Sequence, residues 1–128
     1  MITRRHFFAL LLGIIGIFGC KSGPAKNRSK AIPIGNLRDL KEGPNYFLIE
    51  RVVITKHGSE LTALSLVCTH QECLLNPVSG GGFTCPCHGS AFDSKGNVLN
   101  GPASKNLINL PVSVDEFGIV KVEFQQSS

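Results

Sequence analysis

The 128-residue sequence is short of several things, and each absence narrows what the chain can be. Trp is absent, Tyr and Met occur once each, and beyond residue 20 no stretch sustains the 3.6-residue apolar period of an amphipathic helix. A helical bundle is excluded, although Leu37–Lys41 has the composition of a single helical turn. The chain is too short for a multi-domain enzyme; it holds one module plus whatever delivers or anchors it. Positive charge is scarce in the part expected to fold. Of 13 Lys and Arg residues only seven follow Ala31, against all nine Asp and Glu, so residues 32–128 carry a net charge of −2. That leaves no basic face for a phosphate backbone and excludes a nucleic-acid partner.

The longest apolar run is itself too short to span a membrane. Phe7–Gly19 is a 13-residue run behind the basic Met1–His6. As a helix it would reach roughly 20 Å, against about 30 Å of hydrocarbon core, so residues 1–20 read as an export signal. Thr3-Arg4-Arg5-His6-Phe7-Phe8 resembles a twin-arginine signal, with an ordinary secretory signal as the alternative. Cys20 is the odd one of five cysteines. Ile17-Phe18-Gly19-Cys20 resembles a bacterial lipoprotein signal, whose Cys is acylated, although Phe18 is bulkier than that pattern prefers. A plainly cleaved signal and an uncleaved short anchor stay open as alternatives. Residues 21–31 include Lys21, Lys26, Arg28 and Lys30 and no apolar period; they read as a flexible basic tether that an anionic membrane surface would attract.

What the chain has in quantity is glycine, 14 residues of it, and short runs of β-branched and aromatic residues. Tyr46–Ile49, Val52–Lys56 and Leu61–Val67 read as strands, with His57-Gly58 as a hairpin turn. Leu110–Val114 and Ile119–Phe124 alternate apolar and polar around a turn at Asp115–Gly118. Asp93-Ser94-Lys95-Gly96 reads as another turn. The expected class is all-β.

The chemistry sits between these strands. Cys68-Thr69-His70-Gln71-Glu72-Cys73 is followed, 17 residues on from Cys68, by Cys85-Pro86-Cys87-His88-Gly89-Ser90. Two short segments each hold two Cys and one His, a soft donor set suited to zinc or to iron–sulfur chemistry. Zinc sites more often show C-x-x-C with H-x(3 to 5)-H, a spacing not found here.

Cys68-x-His70-x-x-Cys73 with Cys85-x-Cys87-His88-x-Ser90 closely resembles the Rieske family, and the resemblance extends over about Ile32–Phe124. It implies an antiparallel β-sandwich of the respiratory iron–sulfur-protein type, occupying residues 32–128, with a small rubredoxin-like cluster-binding subdomain near Cys68–Ala103. It implies one 2Fe-2S cluster, held by Cys68 and Cys85 on the buried iron and by His70 and His88 on the outer iron. It further implies a disulfide between Cys73 and Cys87, as in quinol-oxidising members. Ser90 matches a serine whose hydroxyl bonds a cluster sulfide. Phe92 stands where high-potential members have Tyr, so one hydrogen bond to a ligand sulfur is expected to be missing and the potential to be lower. Gly101-Pro102-Ala103 matches the loop that covers the cluster, with Ser104 in place of a second Pro. Gln71 and Glu72 replace the usual Leu and Gly, which puts docking on a cytochrome b in question.

The function implied is one-electron transfer on the outer, periplasmic face of a membrane. The chain would serve as the iron–sulfur subunit of a quinol-oxidising cytochrome bc-type complex, with cytochrome b and cytochrome c as redox partners and quinol at the histidine face. The alternatives are the small electron-transfer subunit of a periplasmic oxidoreductase such as arsenite oxidase, and a cytosolic ferredoxin component of a dioxygenase, which the export signal disfavours. Such a chain is an electron-transfer component, since it has no room for a substrate pocket of its own. A cluster assembled in the cytoplasm requires export of the folded protein, which favours the twin-arginine reading of Arg4 and Arg5.

Overall fold

The computed structural model describes residues 29–125. Arg4, Arg5, Cys20 and residues 21–28 of the expected tether lie outside them.

The chain is built of strands, as expected. β1 (Ser29–Asn36) leads through a 3-10 turn at Leu37–Asp39 to β2 (Gly43–Phe47), β3 (Val52–His57) and β4 (Glu60–Ser65). Four short strands follow: β5 (Asn76–Pro77), β6 (Phe83–Thr84), β7 (Ala91–Phe92) and β8 (Val98–Asn100). β9 (Asn109–Leu110), β10 (Val112–Val114) and β11 (Ile119–Gln125) complete the described chain. They form three antiparallel sheets, ordered β1-β11-β10, β2-β3-β4-β9 and β5-β6-β7-β8. Among the described residues no helix is long and apolar enough to cross a membrane.

The middle sheet explains the apolar run in β3. Side chains alternate between faces along a strand, yet Val52, Val53 and Ile54 are all buried. Both faces are covered. Val52, Ile54 and Ala63 pack with Leu110, Val120 and Val122 on the side of the three-stranded sheet. Val53, Leu64 and Leu66 pack with Leu75, Phe83, Phe92 and Leu107, and with Cys68 and Cys85, on the other side.

Several boundaries differ from the sequence expectation. Ser29, Lys30 and Ala31 were expected in the tether, but they pair with Gln125, Phe124 and Glu123 of β11 and belong to the folded unit. Their pairing is made by backbone groups, which composition does not reveal, and Pro33 is tolerated there because β1 is an edge strand. Leu110–Val114, expected as one strand, divides at Pro111. Leu110 pairs with Ala63 in the middle sheet, whereas Val112–Val114 pair with β11, so the proline that cannot donate marks where the chain changes sheets. β2 also lies earlier than expected, and Leu48 and Ile49 sit exposed in the turn after it.

The Asp115–Gly118 turn forms as expected. Asp115 accepts bonds from the amides of Phe117 and Ile119, both at 3.0 Å, and from Lys121 Nζ at 2.9 Å. Led by the Lys121 bond, then the Ile119 amide, these hold its carboxyl below the usual carboxylate range. A depressed folded-state pKa contributes stability that is complete above the unfolded value of about 3.9 and is lost as pH falls through the folded value. Asp115→Asn is expected to lower stability at neutral pH and to lose that penalty progressively below about pH 4, as read by urea unfolding at each pH.

Gly80, Gly81 and Gly82 all hold positive φ in the β5–β6 hairpin. A Cβ at Gly82 would meet the Phe92 carbonyl oxygen at 2.5 Å, while one at Gly80 would meet nothing within 4 Å. Gly80→Ala should therefore cost about 1–2 kcal/mol, for the left-handed backbone alone. Gly82→Ala should cost about 1–3 kcal/mol more, because backbone must move. Denaturant midpoints of the two variants measure the difference.

Candidate metal centre

The first loop leaves β4 and closes on itself before β5: Leu75 N donates to Leu66 O at 2.9 Å, and Val67 bridges Leu74. The second, Cys85–Ser90, joins β6 to β7. The two have the same hydrogen-bond frame. In the first, Cys68 N donates to Cys73 O (2.8 Å) and Glu72 N to Cys68 O (2.9 Å). In the second, Cys85 N donates to Ser90 O (2.7 Å) and Gly89 N to Cys85 O (3.0 Å). Each frame turns through a residue with positive φ, Gly89 at 81° in one and Glu72 at 58° in the other.

These frames divide the donors by depth. Cys68 and Cys85 are free thiols buried in the core, at 0% and 4% exposure. His70 and His88 are exposed, their rings edge to face with centroids 5.0 Å apart. The structure therefore pairs the two thiols inside, Cys68 hydrogen-bonded to Cys85, and the two imidazoles at the surface. Burial pushes the Cys85 thiol up, but hydrogen bonds from the Cys87 amide, the Cys68 side chain and the His88 amide hold it below its ordinary value. That environment favours a thiolate, the form in which Cys binds iron.

Cys73 and Cys87 form a disulfide between the loops. Their sulfurs and that of Cys85 lie within 4.8 Å of one another, but a bridged pair has no thiolate to offer, so this trio is not a donor set. The bridge instead ties the two frames together beside Cys85.

A third segment closes over them. The Gly101–Pro102 peptide is cis, both residues are exposed, and Ala103 is buried. Ala103 N donates to Ser90 Oγ at 2.9 Å. Ser90 is wholly buried, and its hydroxyl, having accepted that bond, keeps its own proton to donate. Phe92 is 1% exposed in the same core and offers no hydroxyl. The Asp93–Gly96 turn forms as expected, Gly96 N donating to Asp93 O at 3.0 Å. The Asn97 side chain, then the Asn97 amide, hold the Asp93 carboxyl below the usual range.

Sequence reasoning missed the braces of this third segment. Thr69 Oγ1 donates to Lys105 O at 2.6 Å, tying the first loop to the third across 36 positions. Asn106 accepts from Val98 N (3.0 Å) and donates to Asn97 (3.1 Å). No local pattern marks such partners. The residue fit to a 2Fe-2S group is good on the structure's own terms: buried thiols, exposed imidazoles, amides aimed at one sulfur and a hydroxyl with a proton to give.

The disulfide closes a segment with a sequence separation of 14. Cys73→Ala with Cys87→Ala is expected to cost about 3 kcal/mol by loop entropy, read as a lower denaturant midpoint and as faster bleaching of the cluster's visible absorbance.

The family model described as the Rieske [2Fe-2S] domain matches residues 30–115. Among curated relatives, the cytochrome b6-f complex iron-sulfur subunit of Chlorobaculum tepidum is 30% identical over 133 residues, covering 91% of this chain and 74% of its own. The subunit of the same name from Prochlorococcus marinus NATL1A is 36% identical over 89 residues, covering 66% of this chain. The chain spans 47% of that second relative's length. Among solved structures, the cyanobacterial plasma membrane Rieske protein PetC3 from Synechocystis PCC 6803 has a TM-score of 0.54 at 30% identity, covering 71% of this chain and 97% of its own. The ferredoxin of carbazole 1,9a-dioxygenase from Nocardioides aromaticivorans IC177 shares the fold, with a TM-score of 0.50 at 24% identity over 73% of this chain and 97% of its own.

Proposed function

From its membership of the Rieske 2Fe-2S family, to which the chain belongs, we propose that it transfers single electrons as the iron–sulfur subunit of a quinol-oxidising cytochrome bc-type complex. When bound, the cluster supplies a one-electron couple, in Rieske centres between about −150 and +300 mV. Cys68, Cys85, His70 and His88 would hold it, sulfur on the core side and nitrogen at the surface. The observation that carries this assignment is the division by depth, with buried thiols and exposed imidazoles on matching loop frames.

Each residue then has a task. The two buried sulfurs sit in the core wall, where water is excluded. The two exposed imidazoles would face a partner, and a ring nitrogen not used to hold the group would be free to take or give a proton. That pairs proton movement with electron movement, as quinol oxidation requires. Ser90 donates its hydroxyl proton toward the group, oriented by the amide of Ala103. Gly101 and Pro102 cover the site, and the Cys73–Cys87 bridge fixes the loops. Arg4 and Arg5 serve folded export, and Cys20 serves as a lipid attachment point. Residues 21–28 form the tether that holds the domain at the outer membrane face.

The relatives named as cytochrome b6-f subunits support a cytochrome bc-type host. Gln71 and Glu72, exposed where family members have Leu and Gly, favour a second reading as the small electron-transfer subunit of a periplasmic oxidoreductase. Co-purification separates them, a cytochrome b supporting the first and a molybdopterin subunit the second.

Redox titration of the cluster-loaded protein by EPR, repeated from pH 6 to 10, tests the main reading. The expected potential falls as pH rises. Phe92→Tyr, which adds a hydroxyl beside the buried sulfurs, should raise the potential by about one tenfold step in the redox equilibrium, roughly 60 mV for one electron. A low potential independent of pH would overturn the quinol-oxidising role.

A further inference from the structure

The chain holds eight asparagines, and Asn100 is the one followed by glycine; the others precede Arg, Leu, Tyr, Pro or Val. An asparagine carries its own electrophile, the side-chain carbonyl carbon Cγ, within reach of the backbone nitrogen of the next residue. A side chain on that residue crowds the approach and proline has no N–H to give up, whereas glycine leaves the way open.

The fold decides whether these groups are already engaged. Asn36, Asn45, Asn97 and Asn106 use their side chains in hydrogen bonds. The Asn100 side chain is exposed and makes no hydrogen bond among the described residues. The ladder of β8 ends at Asn100, opposite Ala91. Gly101, next in the chain, is exposed too, and among the described residues its N–H donates to no carbonyl. Nucleophile and electrophile are thus adjacent, hydrated and unbonded. The junction also heads the segment that covers the metal centre. Asn100 pairs beside Ser90, and Ala103, further along the same segment, donates its N–H to Ser90 Oγ at 2.9 Å.

We propose that Asn100–Gly101 is a site of self-modification, at which asparagine converts to aspartate and isoaspartate and the cover of the metal centre gains a negative charge. Gly101 N gives up its proton and bonds to Asn100 Cγ, closing a cyclic imide; the Cγ–Nδ2 bond breaks and ammonia leaves with the proton. Water then opens the ring. Opening at Cγ leaves aspartate, and opening at the main-chain carbonyl leaves isoaspartate, with the backbone running through the side-chain carbon. No oxidant or reductant is consumed. The new carboxylate disfavours the more negative, reduced state of a nearby cluster. Isoaspartate also lengthens the backbone ahead of the Ala103 amide that orients Ser90. The modification needs no cluster, whereas its effect on the potential rests on the reading above.

The test ages the cluster-loaded full chain in mildly alkaline, heavy-oxygen water, beside the same chain unfolded in urea, and reads both by peptide mass spectrometry after digestion at low pH. In the folded chain Asn100 should exchange NH2 for OH, with uptake of heavy oxygen, at a rate within severalfold of the unfolded chain's. Asn36, Asn45 and Asn106 should stay unchanged over the same time. Gly101→Ala should slow the reaction severalfold and still fold, since a Cβ there meets nothing nearer than Ala103 O at 4.0 Å. In EPR redox titrations, aged wild type and fresh Asn100→Asp should both favour the oxidised cluster by about twofold to tenfold relative to fresh wild type. That shift should shrink as salt is added, and aged Asn100→Gln should match its own fresh form.

An Asn100 that stays intact in the folded chain while the unfolded chain reacts would overturn the site. Modification without a change of potential, in aged wild type and in Asn100→Asp alike, would overturn its action on the centre and leave the electron-transfer reading in place. A chain that takes up no cluster would remove that reading, and the effect on the centre with it, whatever the mass spectrum shows.

Discussion

The middle sheet has to be covered on both faces, and the rest of the molecule follows from how that is done. Val52 and Ile54 turn to one side and Val53 to the other, so β3 leaves no face for water. One cover is the three-stranded sheet. The other is the four-stranded cluster sheet, which has no long strand and little apolar surface of its own. It completes its packing with Cys68, Cys85, Leu75 and Leu107 from its loops. Thiols behave as small hydrophobes in a core, so Cys68 and Cys85 pack as core residues in their own right. A metal group held at these sulfurs would extend the core rather than decorate its surface.

The matching loop frames show how two different sequences can serve one geometry. CTHQEC and CPCHGS share only their first Cys, yet each closes the same pair of backbone bonds around it. With the backbone frame fixed, the side chains are free to diverge, and the two loops place their imidazoles at different positions while still meeting edge to face. The bridge at Cys73–Cys87 and the Ser90–Ala103 bond then hold three separate segments against one another. The acidic residue at the turn of the first loop is the point where this economy is broken, since glycine would satisfy the backbone better.

Much of this was legible in the sequence because it is encoded locally. The Cys and His spacing, the disulfide partners implied by the family resemblance, the Asp93 and Asp115 turns and the all-β class each depend on residues close together in the chain. What escaped depends on partners far away. β1 carries a Lys, a Pro and a Gly in Ser29–Asn36 and gains its pairing from β11 at the other end of the chain. The division at Pro111 needed knowledge of two different sheets, although the missing donor was visible. Thr69 gave no signal, because a hydroxyl that reaches Lys105 looks like any other hydroxyl in a loop.

The pairing of Ser29 with Gln125 places the first and last described residues side by side. Whatever precedes the one and follows the other leaves the fold from a single place. Strands β1 and β11 thus meet end to end at one corner of the fold, and a pull on either end loads the same backbone pairing. A label added through either end would enter the fold beside the same strand pair.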